Sequence, residues 1–107
     1  MVDFNTIWET LVKDIGALAK AQLPGFLKQA ETDGKAFLDR SKVQLQKWVQ
    51  QVADGTLTKE EFEFLVKGLQ DLAEMNALKQ AGLALVKIDN FKSAVINTVI
   101  TTVLKFL

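Results

Sequence analysis

The sequence predicts an all-α protein, a small bundle of three to four long helices. Hydrophobic residues recur at intervals of three and four over long stretches, which is the spacing that places them on one face of a helix. In 107 residues there is one proline, and the strong turn signals are Pro24-Gly25 and Asp54-Gly55. The chain has the length of one domain, and its 49% hydrophobic content is enough for one core. Residues 1–107 are therefore predicted to form a single helical domain.

The first two helices are predicted over residues 4–23 and 25–53. In both ranges, apolar side chains follow the helical spacing and form a continuous stripe. Pro24 suits the first turn of the second helix, because proline lacks the N–H group that a first turn leaves unpaired. The pair Asp33-Gly34 is a weak point within the second helix, because both residues are poor helix formers.

The third helix is predicted over residues 59–88, with a well-defined start. Thr58 and Glu61 have the spacing of a capping box, and Leu57 and Phe62 have the spacing of a hydrophobic staple. Up to Ala77 the pattern is amphipathic. Beyond it, apolar residues point in nearly every direction around the helix, so another surface is expected to cover this part.

The fourth helix is predicted over residues 90–107, with Asp89 as its N-cap. The alternative is that it continues the third helix, because no strong stop signal lies between Lys87 and Phe91. A helix of about 29 residues, the length predicted for residues 25–53, would be about 44 Å long, whereas a compact domain of this size has a radius of gyration of about 13 Å. The helices are therefore expected either to bend or to extend as an elongated helical hairpin.

An elongated hairpin would leave the C-terminal third of the chain uncovered. From residue 77 onward, 18 of 31 residues are apolar, which is a large share for a surface without a partner. The sequence therefore predicts a homo-oligomer or another protein partner. The predicted interface consists of Leu83, Val86, Phe91, Val95, Val99, Ile100, Val103 and Phe106.

Composition argues against several functional classes. Thirteen basic and thirteen acidic residues give a net charge of zero, so no broad cationic field is available to attract nucleic acid. The sequence contains no histidine and no cysteine, which removes the commonest zinc ligands and the side chains of many catalytic mechanisms. General acid–base catalysis by two carboxylates needs a pair that is removed from water in a pocket. No aspartate or glutamate falls in the middle of a predicted apolar stripe, so such a pair is not expected. We predict that the chain is not an enzyme, has no cofactor or metal and does not bind nucleic acid.

Residues 54–62 are similar to the second half of an EF-hand loop, with Gly55 at the turn and Glu61 at the position of the terminal glutamate. The first half is missing, because Gln50 and Val52 stand where the first carboxylate ligands belong. A turn followed by a capping box explains the same residues without calcium.

The predicted function is that of a non-catalytic interaction, adaptor or inhibitory protein that self-associates through its apolar C-terminal third. The alternative is an amphipathic protein that binds lipid or a membrane surface through its C-terminal helix. Residues 77–107 contain four lysines and one acid, whereas residues 54–76 contain six acids and two lysines. This pattern suits an acidic partner, a second copy or an anionic surface. The expected location is cytoplasmic, because acidic residues at positions 3 and 9 are atypical of a signal peptide.

Overall fold

A computed structural model describes residues 3–107 and confirms the all-α prediction. The radius of gyration is 13.7 Å, close to the value of about 13 Å for a compact chain of this length. The elongated hairpin is therefore wrong, and the chain forms a compact bundle. Its α-helices are α1 (Phe4–Gln22), α2 (Leu27–Ala53), α3 (Lys59–Lys67), α4 (Asn76–Gln80) and α5 (Leu85–Phe106), with 3-10 helices at Pro24–Phe26 and Gly68–Leu72.

The long helices α1, α2 and α5 form the body of the bundle. Helix α1 packs against both α2 and α5, while α3 lies against α2 and α5. One core joins buried side chains from all five α-helices. Helices α1 and α2 lie close to their predicted ranges, and the pair Asp33-Gly34 lies within α2 without interrupting it.

The predicted third helix, residues 59–88, is wrong as a single element. Helix α3 ends at Lys67, a 3-10 turn follows, and the short α4 starts only at Asn76. The prediction for the fourth helix is corrected as well, because α5 begins at Leu85 with Ala84 at the N-cap position instead of Asp89. The alternative is confirmed in one respect, because no break lies between Lys87 and Phe91 and residues 85–88 are continuous with the rest of α5. The break lies earlier, at residues 81–84, which separate α4 from α5.

Side chains of α2 explain why the chain breaks between α3 and α4. The Asp33 carboxylate accepts hydrogen bonds from the backbone N–H groups of Ala77 (3.0 Å) and Leu78 (2.8 Å), and so caps α4 from a neighbouring helix. Two turns further along α2, Arg40 donates to the carbonyl oxygen of Leu72 (3.1 Å) and pairs with Glu74 (3.2 Å). These interactions satisfy backbone groups that would otherwise be unpaired where a helix stops.

Glycines end the helices on both sides of this region. Gly55 and Gly82 have φ values of 82° and 83°, a left-handed conformation that favours glycine. After α4, the N–H of Gly82 bonds to the carbonyl of Lys79 and the N–H of Leu83 bonds to that of Leu78, which is the Schellman pattern. The same pattern follows α2, where the N–H of Gly55 donates to the carbonyl of Val52 and the N–H of Thr56 donates to that of Gln51.

The capping box at the start of α3 is confirmed. The Thr58 hydroxyl accepts a hydrogen bond from the Glu61 N–H (3.0 Å), and the Glu61 carboxylate accepts one from the Thr58 N–H (2.9 Å). Glu61 therefore serves the helix start in the way that the sequence predicts.

Candidate interaction surfaces

The structure places most of the predicted interface inside the monomer. Of the eight predicted residues, Val86 and Phe106 are exposed. The other six lie in the core of the bundle: Leu83, Phe91, Val95, Val99, Ile100 and Val103. For these six the interface prediction is wrong. Leu83 is buried in the link before α5, and α1 and α3 pack on α5 and cover the other five within one chain.

A different apolar group lies open on α3. Phe64 is 69% exposed, and it forms a shallow groove of about 340 Å³ together with Leu57, Glu60, Glu61 and Leu65. We refer to these five residues as the Phe64 surface. Phenylalanine is among the residues that are enriched at protein–protein interfaces relative to the rest of a protein surface.

The local structure of α3 fixes the direction of Phe64. Phe62 and Val66 are fully buried, and side chains at these positions turn Phe64 away from the bundle. Glu60, Phe64 and Lys67 follow one another at helical spacings of four and three, so they lie along one outward stripe. The apolar centre of this stripe therefore has an acid on its N-terminal side and a base on its C-terminal side, and Lys67 also pairs with Glu63 of its own helix (3.1 Å).

Gly68 follows the last residue of α3 and extends the outward stripe. Gly68 is exposed, and a Cβ atom added there would meet no atom within 4 Å. Its own chain therefore gives no steric reason for glycine at this position, and the backbone beside Phe64 is open to close approach.

A second open surface lies where α5 begins. Leu85 and Val86 are 68% and 72% exposed and follow one another in the first turn of the helix. Beside them, a groove of about 560 Å³ lies between the start of α5 and the turn that joins α1 to α2, and it is lined by Gln22, Leu23, Pro24, Gly25, Phe26, Leu83, Lys87 and Asn90. This part of the molecule, comprising residues 20–28 and 76–92, is called the basic end below.

A third groove, between α1 and α5, is polar and shallow. The Thr102 hydroxyl donates to the Asp14 carboxylate (2.7 Å) and links the two helices. Asn97, Thr101 and Lys105 line the same groove, whose volume is about 470 Å³. Since Asp14 and Thr102 satisfy one another, their bond is explained by helix packing.

The buried polar side chains have structural partners. In residues 3–107 these side chains are Asp33, Ser41 and Thr102. Asp33 caps α4, and Ser41 donates to backbone carbonyls of its own helix. The sequence pattern does not predict that Asp33 is buried. The one feature of the sequence that sets Asp33 apart is its position beside Gly34 in the middle of a long helical pattern.

Between residues 3 and 107, no group of three or more aspartate or glutamate side chains is arranged to hold a metal ion. No helix within this range is both long enough and apolar enough to cross a membrane.

Comparison with known proteins gives no match. No family model, no curated protein and no solved structure is significantly similar to this chain. The geometry of the surfaces is therefore the basis for a functional proposal.

Proposed function

We propose that the protein is a non-catalytic interaction protein that self-associates through the Phe64 surface. The observation that supports this proposal is the 69% exposure of Phe64 on a helix whose other phenylalanine is fully buried. Leaving a phenylalanine in water forgoes about 2 to 3 kcal/mol of burial free energy. A partner that covers Phe64 would recover this free energy.

A second copy of the chain is the partner that best fits the charges. In an isologous dimer, the same surface of both copies meets across a two-fold axis. If two α3 helices pair in antiparallel orientation around Phe64, Glu60 of each copy comes opposite Lys67 of the other. The stripe is thus complementary to itself, with an apolar centre and opposite charges at its two ends.

The proposed dimer is weak. Helix α3 has nine residues, whereas a stable interface buries about 800 Å² on each partner. A short helix offers only part of this area, so association is expected to be reversible and to depend on protein concentration. This form of self-association replaces the one predicted through the C-terminal third.

The structural role of the buried Asp33 carboxylate supports the proposal that the protein is not an enzyme. Both oxygen atoms of Asp33 accept hydrogen bonds from backbone N–H groups of α4. A carboxylate held in this way has a structural role, in contrast to a general acid or base that faces a reacting group.

The first prediction concerns Phe64 and is checked by sedimentation velocity over a series of protein concentrations. The wild type is expected to show a mass that rises with concentration, and Phe64→Asp is expected to remain monomeric. Val43→Asp is the matched control, because Val43 is 80% exposed on α2, outside the Phe64 surface. A wild type that stays monomeric at all concentrations, or a Val43→Asp variant that loses association equally, would contradict the proposal.

Charge reversal tests the two-fold arrangement itself. Glu60→Lys is expected to weaken association, because it places two lysines opposite one another. Adding Lys67→Glu should restore association, because the pair is then reversed in both copies. The exposed Lys67–Glu63 pair within α3 is lost as well, but such a pair contributes little. Glu60 suits this test since the capping box uses Glu61 and leaves Glu60 free for substitution.

A further inference from the structure

We infer that the basic end of the bundle is a docking site for an anionic lipid surface. This inference concerns a surface separate from the Phe64 surface and does not depend on the proposed self-association. It combines an exposed apolar pair, Leu85 and Val86, with a local excess of lysines. Such a combination lets a protein insert apolar side chains between headgroups while its cations face lipid phosphates.

The folded chain separates its charges by position. Residues 20–28 and 76–92 together contain five lysines (Lys20, Lys28, Lys79, Lys87 and Lys92) and one acid, Asp89. Their sum is +4, and the Asp33 carboxylate of α2, which caps α4 at this end, lowers the local sum to +3. The groove between the α1–α2 turn and the start of α5 shows that residues 22–26 meet residues 83–90 in the fold, with Lys87 in its lining. The basic character of this end is therefore created by folding.

The apolar pair is suited to shallow insertion. Leu85 and Val86 lie in the first turn of α5, and Ala84 before them is also exposed. Lys87 follows directly and is exposed as well. Leucine and valine beside lysine place an apolar contact and a cationic contact at nearly the same depth, as expected for a protein that lies at the interface between lipid and water.

The site differs from the membrane-binding face that the amphipathic pattern of the C-terminal helix predicts. Phe91 is fully buried and Ile100 is 6% exposed, so neither reaches a lipid surface while the bundle is folded. The proposed lipid contact therefore lies at the first turn of α5, where Leu85 and Val86 are exposed, and not along the length of the helix. A folded protein can then bind without opening its core.

Co-sedimentation with vesicles tests the inference. The probes are vesicles of phosphatidylcholine with about one third phosphatidylglycerol, and vesicles of phosphatidylcholine alone. The wild type is expected to bind the anionic vesicles at low salt, and to release them in about 1 M salt, where the Debye length falls to about 3 Å. The double variant Leu85→Ser, Val86→Ser is expected to lose at least about tenfold in partitioning.

Two control variants locate the contact. Val43→Ser removes an equally exposed valine outside the basic end and should bind like the wild type. Phe64→Ser should also bind like the wild type, which separates this inference from the proposed self-association. Circular dichroism confirms that each variant is folded.

Several outcomes would overturn the inference. These are no binding of the wild type to anionic vesicles, equal binding by the double variant at Leu85 and Val86, or an equal loss in Val43→Ser. A loss in Phe64→Ser with full binding by the double variant would place the lipid contact on α3 instead. Equal binding to both vesicle types would show that the lysines do not contribute.

Discussion

At the scale of single residues, the neighbours Asp33 and Gly34 have separate structural tasks. Asp33 caps α4 with both carboxylate oxygens. Gly34 faces α1, where a Cβ atom on residue 34 would lie 2.5 Å from Cγ2 of Ile15. The two residues that weaken the helical pattern of α2 are thus the ones that allow other elements to pack on it.

A matched pair of glycine substitutions tests this explanation. Gly34→Ala is expected to lower the free energy of unfolding by about 1 to 2 kcal/mol, because Ile15 is β-branched, buried and unable to turn its methyl group away easily. Gly16→Ala, in α1, is expected to raise it by up to about 1 kcal/mol, because no atom lies within 4 Å of the added Cβ. Urea unfolding followed by circular dichroism measures both. Shifts of the same sign in the two variants would contradict the assignment.

At the scale of elements, the junction between α3 and α4 depends on contacts from α2. Met75, just before α4, has a φ of 56° and is 1% exposed, a conformation that costs about 1 kcal/mol or more for a residue other than glycine. The capping bonds from Asp33 help to offset this cost. Arg40 contributes less, because its ion pair with Glu74 is solvent-exposed and such pairs contribute little.

Removal of the cap is expected to loosen this junction. Asp33→Ala should lower the free energy of unfolding by about 2 kcal/mol, because it leaves the N–H groups of Ala77 and Leu78 without acceptors. Hydrogen exchange should quicken at these two amides more than at Val66 in α3. Asp39→Ala, an exposed aspartate of the same helix, serves as the control. Unchanged exchange at Leu78 would mean that the carboxylate does not hold α4.

At the scale of the whole molecule, one chain suffices to cover its core. The accessible surface is 6249 Å², close to the roughly 5,900 Å² expected for a compact monomer of 11.9 kDa. The apolar excess of the C-terminal third is taken up within the bundle. The apolar side chains that remain exposed include Phe64 on α3 and the Leu85–Val86 pair on α5.

The central place of α5 gives a prediction for stability. Phe91→Ala should lower the free energy of unfolding by about 3 to 5 kcal/mol, because Phe91 is fully buried and its removal leaves a cavity. Val86→Ser should change it by no more than about 0.5 kcal/mol, since Val86 is exposed. Denaturant unfolding at several protein concentrations distinguishes the core from an interface. If the effect of Phe91→Ala depended on concentration, Phe91 would contribute to assembly.

The sequence by itself determined the all-α class, the approximate course of α1 and α2, and the capping box of Thr58 and Glu61. These features depend on periodicity and on contacts between residues close in the chain, which a sequence records directly. Tertiary structure decided the break within residues 59–88, because the partners of that break, Asp33 and Arg40, lie on another helix. It also decided which apolar residues stay exposed. Spacing shows that α5 is apolar, but only the packing of α1 and α3 against it determines that Phe91 is covered and Val86 is not.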